Sequence, residues 1–173
     1  MRGRAGNCVP CFWISALGIA LVICFPVLAG ESAGFDDPGG RFESVPDCHA
    51  VVDRQTRLMW QRCSLGQEFL NGSCTGRPHR LEWDQAAMQK MALCGYSDWH
   101  LPERHDLEGL LIDGQMPAID QSVFPNTVPA AYWTASSSNI HQQRAWCVNF
   151  GRGIADALFK DSRLYLRLVR ELK

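Results

Sequence analysis

Hydrophobic and polar residues recur with distinct periods along this chain, and the periods predict its elements. Residues 50–53, with two valines, and residues 57–62, where Leu58 and Trp60 alternate with Met59 and Gln61, flank a polar turn that begins at Asp53. This pattern is typical of a β-hairpin. Apolar residues at helical spacing over 83–94 predict one amphipathic helix. Gly95 follows where a residue of left-handed conformation would end that helix.

The second half of the chain predicts one more helix and then a sheet. We expect a helix over 102–113, because Pro102 suits a first helical position and the following leucines would form a buried stripe. The proline-rich stretch 114–129 predicts an irregular connection. Strand patterns separated by short turns follow over 131–136, 145–150, 154–160 and 164–169. The prediction is an α+β domain with an N-terminal hairpin, two helices and a C-terminal antiparallel meander.

The start of the chain has the pattern of a secretory signal. Arg2 and Arg4 precede an apolar run over 12–28, and the small residues before position 30 fit cleavage after Ala29. A retained membrane anchor is the alternative, and it would be the chain's contact with a membrane. We therefore divide the chain into a signal peptide at 1–29, a flexible lead-in at 30–47 and a domain at 48–173.

The net charge excludes one class of function, and the cysteines bear on the cellular compartment of the protein. The net charge of −1, or −3 without residues 1–29, excludes a nucleic-acid binder that works through bulk positive charge. Export places the domain in the periplasm, at the cell surface or outside the cell, where thiols pair. Cys63 and Cys74 bracket a short polar loop and are expected to form a disulfide. Cys94 with Cys147 is the second pairing we expect, while Cys48 has no assigned partner.

Candidate chemistry is sparse in this sequence. His100 with Asp98 and Asp106 is the one constellation that suggests acid–base work, but it lacks a nucleophile, and we predict no catalytic residue, no metal site and no cofactor. Most of the tryptophans lie among apolar residues and are expected in the core. For binding, the two-residue period of a strand places Arg163, Tyr165 and Arg167 on one face, as a small basic patch for sulfate or carboxylate. The alternative is a solvated strand face, or ion pairs with Asp156 and Asp161.

Seven ordered blocks resemble a known bacterial family, the C-terminal domain of the Legionella collagen-like adhesin. They are VD and TRLMW at 52–53 and 56–60, CSLGQ at 63–67, WDQA at 83–86, GYSDWHLP at 95–102, YWTAS at 132–136, AWCVNF at 145–150 and RLVR at 167–170. The resemblance covers about 50–170. It departs at His100, where the family usually has arginine, and at Asp106, where it commonly has glutamate.

The resemblance implies a C-type-lectin-like fold, related in architecture to formylglycine-generating enzymes, and no established catalytic residues. The namesake of the family is a surface module that binds sulfated glycosaminoglycans, and the resemblance implies a related role. We therefore expect an exported, non-catalytic domain that recognises a glycan, sulfated glycans included, or a protein of the bacterial envelope. The alternatives are a structural subunit or interaction module of a pilus or envelope assembly, and a thiol-dependent oxidoreductase by analogy of fold.

Overall fold

Short antiparallel strands form most of the fold. The computed structural model describes residues 40–45 and 48–173, so the predicted signal peptide and most of the lead-in lie outside the described residues. The elements, in chain order, are strands β1 Phe42–Ser44, β2 Ala50–Asp53, β3 Leu58–Gln61, β4 Glu68–Leu70 and β5 Ser73–Thr75, helices α1 Trp83–Ala87 and α2 Arg104–Glu108, and strands β6 Ala131–Ser137, β7 Arg144–Asn149, β8 Ile154–Phe159 and β9 Val169–Glu171. The fold is mixed α+β, and none of the helices in this described part is long and apolar enough to cross a membrane.

The predicted N-terminal hairpin is confirmed, and Asp53 shapes its turn. β2 and β3 pair antiparallel with Asp53 opposite Leu58. One carboxylate oxygen of Asp53 accepts the Gln55 N–H at 3.0 Å, and the Asp53 carbonyl accepts the Arg57 N–H at 2.9 Å. A side chain that bonds the backbone two residues on stabilises a turn, which is why aspartate suits this position.

Part of the predicted lead-in belongs to the folded domain. β1 pairs with β2, so residues 42–44 extend the hairpin into a sheet instead of remaining loose. The Arg41 guanidinium donates to the buried Asp53 carboxylate at 2.6 Å, and Phe42 packs edge-on against Phe124 at 5.4 Å between ring centroids. These two contacts hold Arg41 and Phe42 against the domain, although the composition of the lead-in predicts a flexible segment.

Both helices are shorter than the periodicity predicts. α1 ends at Ala87, and residues 93–96 instead form a tight turn in which Cys94 and Gly95 both have positive φ, 59° and 77°. The Leu93 and Tyr96 backbones exchange two hydrogen bonds of 3.0 Å across that turn. Gly95 thus supplies left-handed backbone as expected, but in a turn and not at a helix end. α2 ends at Glu108, although Leu107 and Leu110 are buried as predicted.

The disulfides confirm one predicted pairing and correct the other. Cys63, just after β3, is bonded to Cys74 in β5, with Cα atoms 5.5 Å apart. The predicted pairing of Cys94 with Cys147 is wrong, because Cys94 is bonded to Cys48, with Cα atoms 5.4 Å apart. Cys147 faces the core from β7 as a buried thiol, and the turn that carries Cys94 lies against the start of β2 instead.

The predicted C-terminal meander has three strands and not four. β6, β7 and β8 pair antiparallel as predicted. Residues 164–168 form no fourth strand: Leu164 makes a single bridge to Leu81, and Tyr165 makes a single parallel bridge to Tyr132 in β6. β9 then pairs with β3 in the first sheet. The last segment of the chain therefore lies between the two larger sheets.

Two apolar clusters fill the space between these elements. The first includes Trp60 and Leu107, and the second includes Trp99 and Trp133, all of them buried. Trp83 and Trp146 are partly buried, and a cation covers a face of each ring: Lys160 lies 4.2 Å from the Trp83 centroid and Arg104 lies 3.7 Å from that of Trp146. These covered faces do not provide open platforms for a sugar ring.

We predict that replacing Asp53 with asparagine destabilises the domain in a pH-dependent way. Burial alone would raise the pKa of Asp53, but hydrogen bonds from Arg41 and from the Gln55 N–H, with the charge of Arg41, hold it below its usual value. Its carboxylate therefore stabilises the fold above about pH 3.9, the usual pKa in an unfolded chain, and less as the pH falls below that. Asp53→Asn should lower the free energy of unfolding by about 1–2 kcal/mol near neutral pH.

The measurement is urea unfolding of both proteins from pH 7 to pH 3. The difference between them should shrink below about pH 3.9, as linkage requires. Glu43→Gln is the control, because the Glu43 pair with Arg54 at 3.1 Å is exposed and should contribute less than about 0.5 kcal/mol. A difference between wild type and Asp53→Asn that stays constant across this range would contradict the assigned role.

Candidate functional site

A basic concavity lies where the chain approaches α1. Its cavity volume is about 660 Å³, and residues from two segments line it: Arg77, Pro78, His79, Arg80, Leu81, Arg163 and Tyr165. We call these residues the basic pocket. It contains two of the three residues proposed from the sequence, Arg163 and Tyr165, and it adds Arg77, His79 and Arg80, which the sequence analysis did not single out.

Backbone pairing brings the two segments of the basic pocket together. Leu81 and Leu164 exchange hydrogen bonds of 2.9 and 3.1 Å, and both side chains pack toward the second apolar cluster. The His79 N–H donates to the Leu65 carbonyl at 2.7 Å. Gly66 has φ +91°, and a Cβ atom there would lie 2.5 Å from the His79 ring, so only glycine lets the ring approach this closely.

Two arginines of the basic pocket, Arg80 and Arg163, each donate a hydrogen bond to the main-chain carbonyl of the other. The Arg80 Nε donates to the Arg163 carbonyl at 3.0 Å, and the Arg163 Nε donates to the Arg80 carbonyl at 3.3 Å. Within residues 40–45 and 48–173, the terminal nitrogens of these two guanidinium groups have no hydrogen-bond partner, and neither they nor Arg77 form an ion pair. Of the alternative, a solvated strand face or ion pairs with Asp156 and Asp161, the described residues show no ion pair of Arg163, and Asp156 lies 4.0 Å from Arg152 instead.

Tyr165 connects the basic pocket to the core. Its half-buried ring lies 5.5 Å from the Tyr132 ring, centroid to centroid, and the Arg80 guanidinium lies 5.8 Å from its centroid. Tyr132 is fully buried, exchanges a hydrogen bond of 2.8 Å with the Ser64 hydroxyl, and has its pKa raised by burial. The aromatic side chain of the pocket is thus fixed from behind.

Arg167 does not share this face, which corrects the sequence interpretation. It is fully buried, and its guanidinium donates to the carbonyls of Gln61 and Arg62 and to the Thr127 hydroxyl, the last at 2.7 Å. Its charge also lies 4.7 Å from the Phe124 ring centroid. Burial lowers the pKa of Arg167 to about 10. Arg167 is a structural cation that holds the last segment of the chain against β3, and it cannot contact a ligand in the basic pocket.

The acid–base constellation does not assemble. The Asp98 carboxylate accepts hydrogen bonds from Arg170, the shorter at 2.7 Å, and His100 Nδ1 lies 2.9 Å from the Asp98 carbonyl oxygen. Asp106 accepts the Glu103 N–H at 3.2 Å at the start of α2. The described ranges contain no group of three or more His, Cys, Asp or Glu side chains placed to hold a metal ion.

Cys147 has the properties of an inert thiol. Burial, and then the charge of Asp156, raise the pKa of Cys147 to about 12, and its Sγ donates to the Asp156 carbonyl at 3.4 Å. A thiolate is the reactive form, so a pKa this high leaves almost none at neutral pH. This geometry gives no support to the thiol-dependent oxidoreductase.

The family is shown by comparison with known proteins. The chain matches the Lcl C-terminal domain over residues 49–170. It belongs to that family. The Lcl C-terminal domain is associated with adhesins and is not a known enzyme family. No curated protein matches the chain. The disulfides and an adhesin-type domain fit a periplasmic or extracellular location.

We predict that the buried Arg167 side chain stabilises the fold. Arg167→Met preserves most of the side-chain volume but leaves two main-chain carbonyls without their donor, which should lower the free energy of unfolding by about 2 kcal/mol. Arg163→Met, in the same segment but exposed, should change it by less than about 0.5 kcal/mol. Urea unfolding at pH 7 measures both. An Arg167→Met protein as stable as wild type would show that the burial cost of the cation outweighs its hydrogen bonds.

Proposed function

We propose that this domain is a non-catalytic, C-type-lectin-like recognition module that binds an anionic glycan, sulfated or carboxylated, in the basic pocket. The observation that carries the proposal is the set of three arginines at one concavity with no carboxylate partner among the described residues. Membership of an adhesin-associated family supports a role in surface attachment. The periplasm, the cell surface or the medium is where such a module would meet a glycan.

The hydrogen bonds of the arginines support an anionic ligand. Since Arg80 and Arg163 each use Nε for a backbone carbonyl, their side chains are held in position while the terminal nitrogens remain available. Guanidinium groups bind planar or tetrahedral oxyanions through paired N–H donors, and charge-assisted hydrogen bonds of this kind are about twice as strong as neutral ones. A group fixed in advance loses less conformational entropy when the ligand binds.

The Tyr165 side chain in the pocket supports a sugar as the part of the ligand that carries the anionic groups. Tyr165 is half-buried, backed by Tyr132, and presents its remaining surface beside the arginines. An aromatic ring next to charged donors suits a ligand that has both an apolar ring face and acidic substituents. The net charge of the chain is −1, so attraction for a polyanion depends on local clusters of cations such as this one and not on the total charge.

The experiment compares a sulfated heparin oligosaccharide with its desulfated counterpart. The triple variant Arg77→Gln, Arg80→Gln, Arg163→Gln should bind the sulfated probe at least about tenfold more weakly than wild type, a loss of about 1.4 kcal/mol. The desulfated probe should bind weakly to both proteins. Titration calorimetry at low and at physiological salt measures the affinities, and salt should weaken the wild-type interaction.

A matched control removes the same charge elsewhere. Arg54→Gln, Arg57→Gln, Arg152→Gln replaces three exposed arginines outside the basic pocket and should change the affinity by less than about threefold. Equal losses in the two triple variants would mean that total charge and not the pocket governs binding. Undiminished binding in the pocket variant would overturn the proposed site.

A further inference from the structure

The surface that carries the basic pocket is positively charged at one end and negatively charged at the other. Residues 77–84 and 160–165 run antiparallel, joined at Leu81 and Leu164 and again where the Trp83 N–H donates to the Lys160 carbonyl at 2.9 Å. Around this second joint, three carboxylates, those of Glu82, Asp84 and Asp161, line a neighbouring concavity of about 520 Å³. We call these three residues and their concavity the acidic groove.

The two charged regions are not neutralised within the described part of the chain. The carboxylates of the acidic groove form no ion pair there, and neither do the three arginines of the basic pocket. Lys160 also lines the groove, but its ammonium lies over the Trp83 ring, 4.2 Å from the centroid. Glu82 also forms a capping box with Gln85 at the start of α1, but it has no cationic partner among the described residues. Charges of opposite sign without ion-pair partners therefore lie along the same two antiparallel segments.

We propose that this surface is an interface with a second copy of the chain. A two-fold axis that lies in the plane of contact, between the two patches, places the basic pocket of each copy against the acidic groove of the other. Both contacts form at once, since an isologous interface uses the same surface on both copies. Charge complementarity favours this occupant because one surface carries both halves of the interaction.

The pairing regulates the glycan site, and this consequence rests on the proposed function. The carboxylates of the second copy occupy the arginines that an anionic glycan would use, so the dimer and the polyanion compete. Solvent-exposed ion pairs contribute little individually, about 0–1 kcal/mol each, so the pairing is reversible and depends strongly on salt. The Debye length falls from about 30 Å at 0.01 M to about 8 Å at 0.15 M ionic strength.

Sedimentation velocity of the protein as it is recovered after export, over a range of concentrations, tests the self-association. At low ionic strength we expect a monomer–dimer equilibrium whose dissociation constant rises at least about tenfold at physiological salt. Arg80→Glu and Asp161→Lys each place like charges in contact and should each be monomeric. An equimolar mixture of these two variants should form a heterodimer, because the acidic surface of one then faces the basic surface of the other.

The mixture controls for misfolding, since neither variant can restore the other unless both are folded. A protein that is monomeric at every concentration and salt, or a mixture that stays monomeric while wild type dimerises, would overturn the interface. The Asp161→Lys variant separates the two proposals, because it retains the whole basic pocket. If wild type is monomeric while this variant and wild type both bind the heparin oligosaccharide, the interface fails and the glycan site stands. If the charge-dependent dimer forms but no oligosaccharide binds, the glycan site fails and the interface stands.

Discussion

Pairing of residues 163–171 with several distant parts of the chain is the constraint on which the rest of the structure depends. Leu164 joins the segment before α1, the Tyr165 N–H donates to Ala131 at the start of β6, and Val169 joins both β3 and the residue His100. The buried guanidinium of Arg167 adds hydrogen bonds to the end of β3 and to Thr127. One segment thereby connects the first sheet, the second sheet and both helical regions.

This segment carries both a buried structural cation, Arg167, and an exposed one, Arg163. Leu166, Arg167 and Leu168 are all buried, whereas Arg163 is exposed and Tyr165 is half-buried. The inward part fixes the path of the chain, and the outward part provides half of the basic pocket. Arg163 and Arg80 then bind each other's carbonyls, so the functional surface is stabilised by the same pairing that closes the fold.

Local features of this fold could be predicted from the sequence, while partners distant in the chain could not. The Asp53 turn and the Cys63–Cys74 loop depend on neighbouring residues, and both predictions are confirmed. The partner of Cys94 depends on a turn that replaces the predicted helix end. Arg167 was misplaced because the two-residue period holds only in a regular strand, and residues 166–168 are not one. The basic run 77–80 was visible in the sequence, but its meeting with Arg163 was not.

The most direct measurement of the central claim is hydrogen exchange of the main-chain amides in the last segment. The N–H groups of Leu164, Tyr165 and Val169 donate to Leu81, Ala131 and His100, at 3.1, 3.2 and 2.9 Å. If this segment holds the fold together, these amides exchange only when the whole domain unfolds, with the same free energy as the amides of β7. Exchange of residues 164–169 by local opening, at a free energy at least about 3 kcal/mol lower while β7 stays protected, would contradict the account.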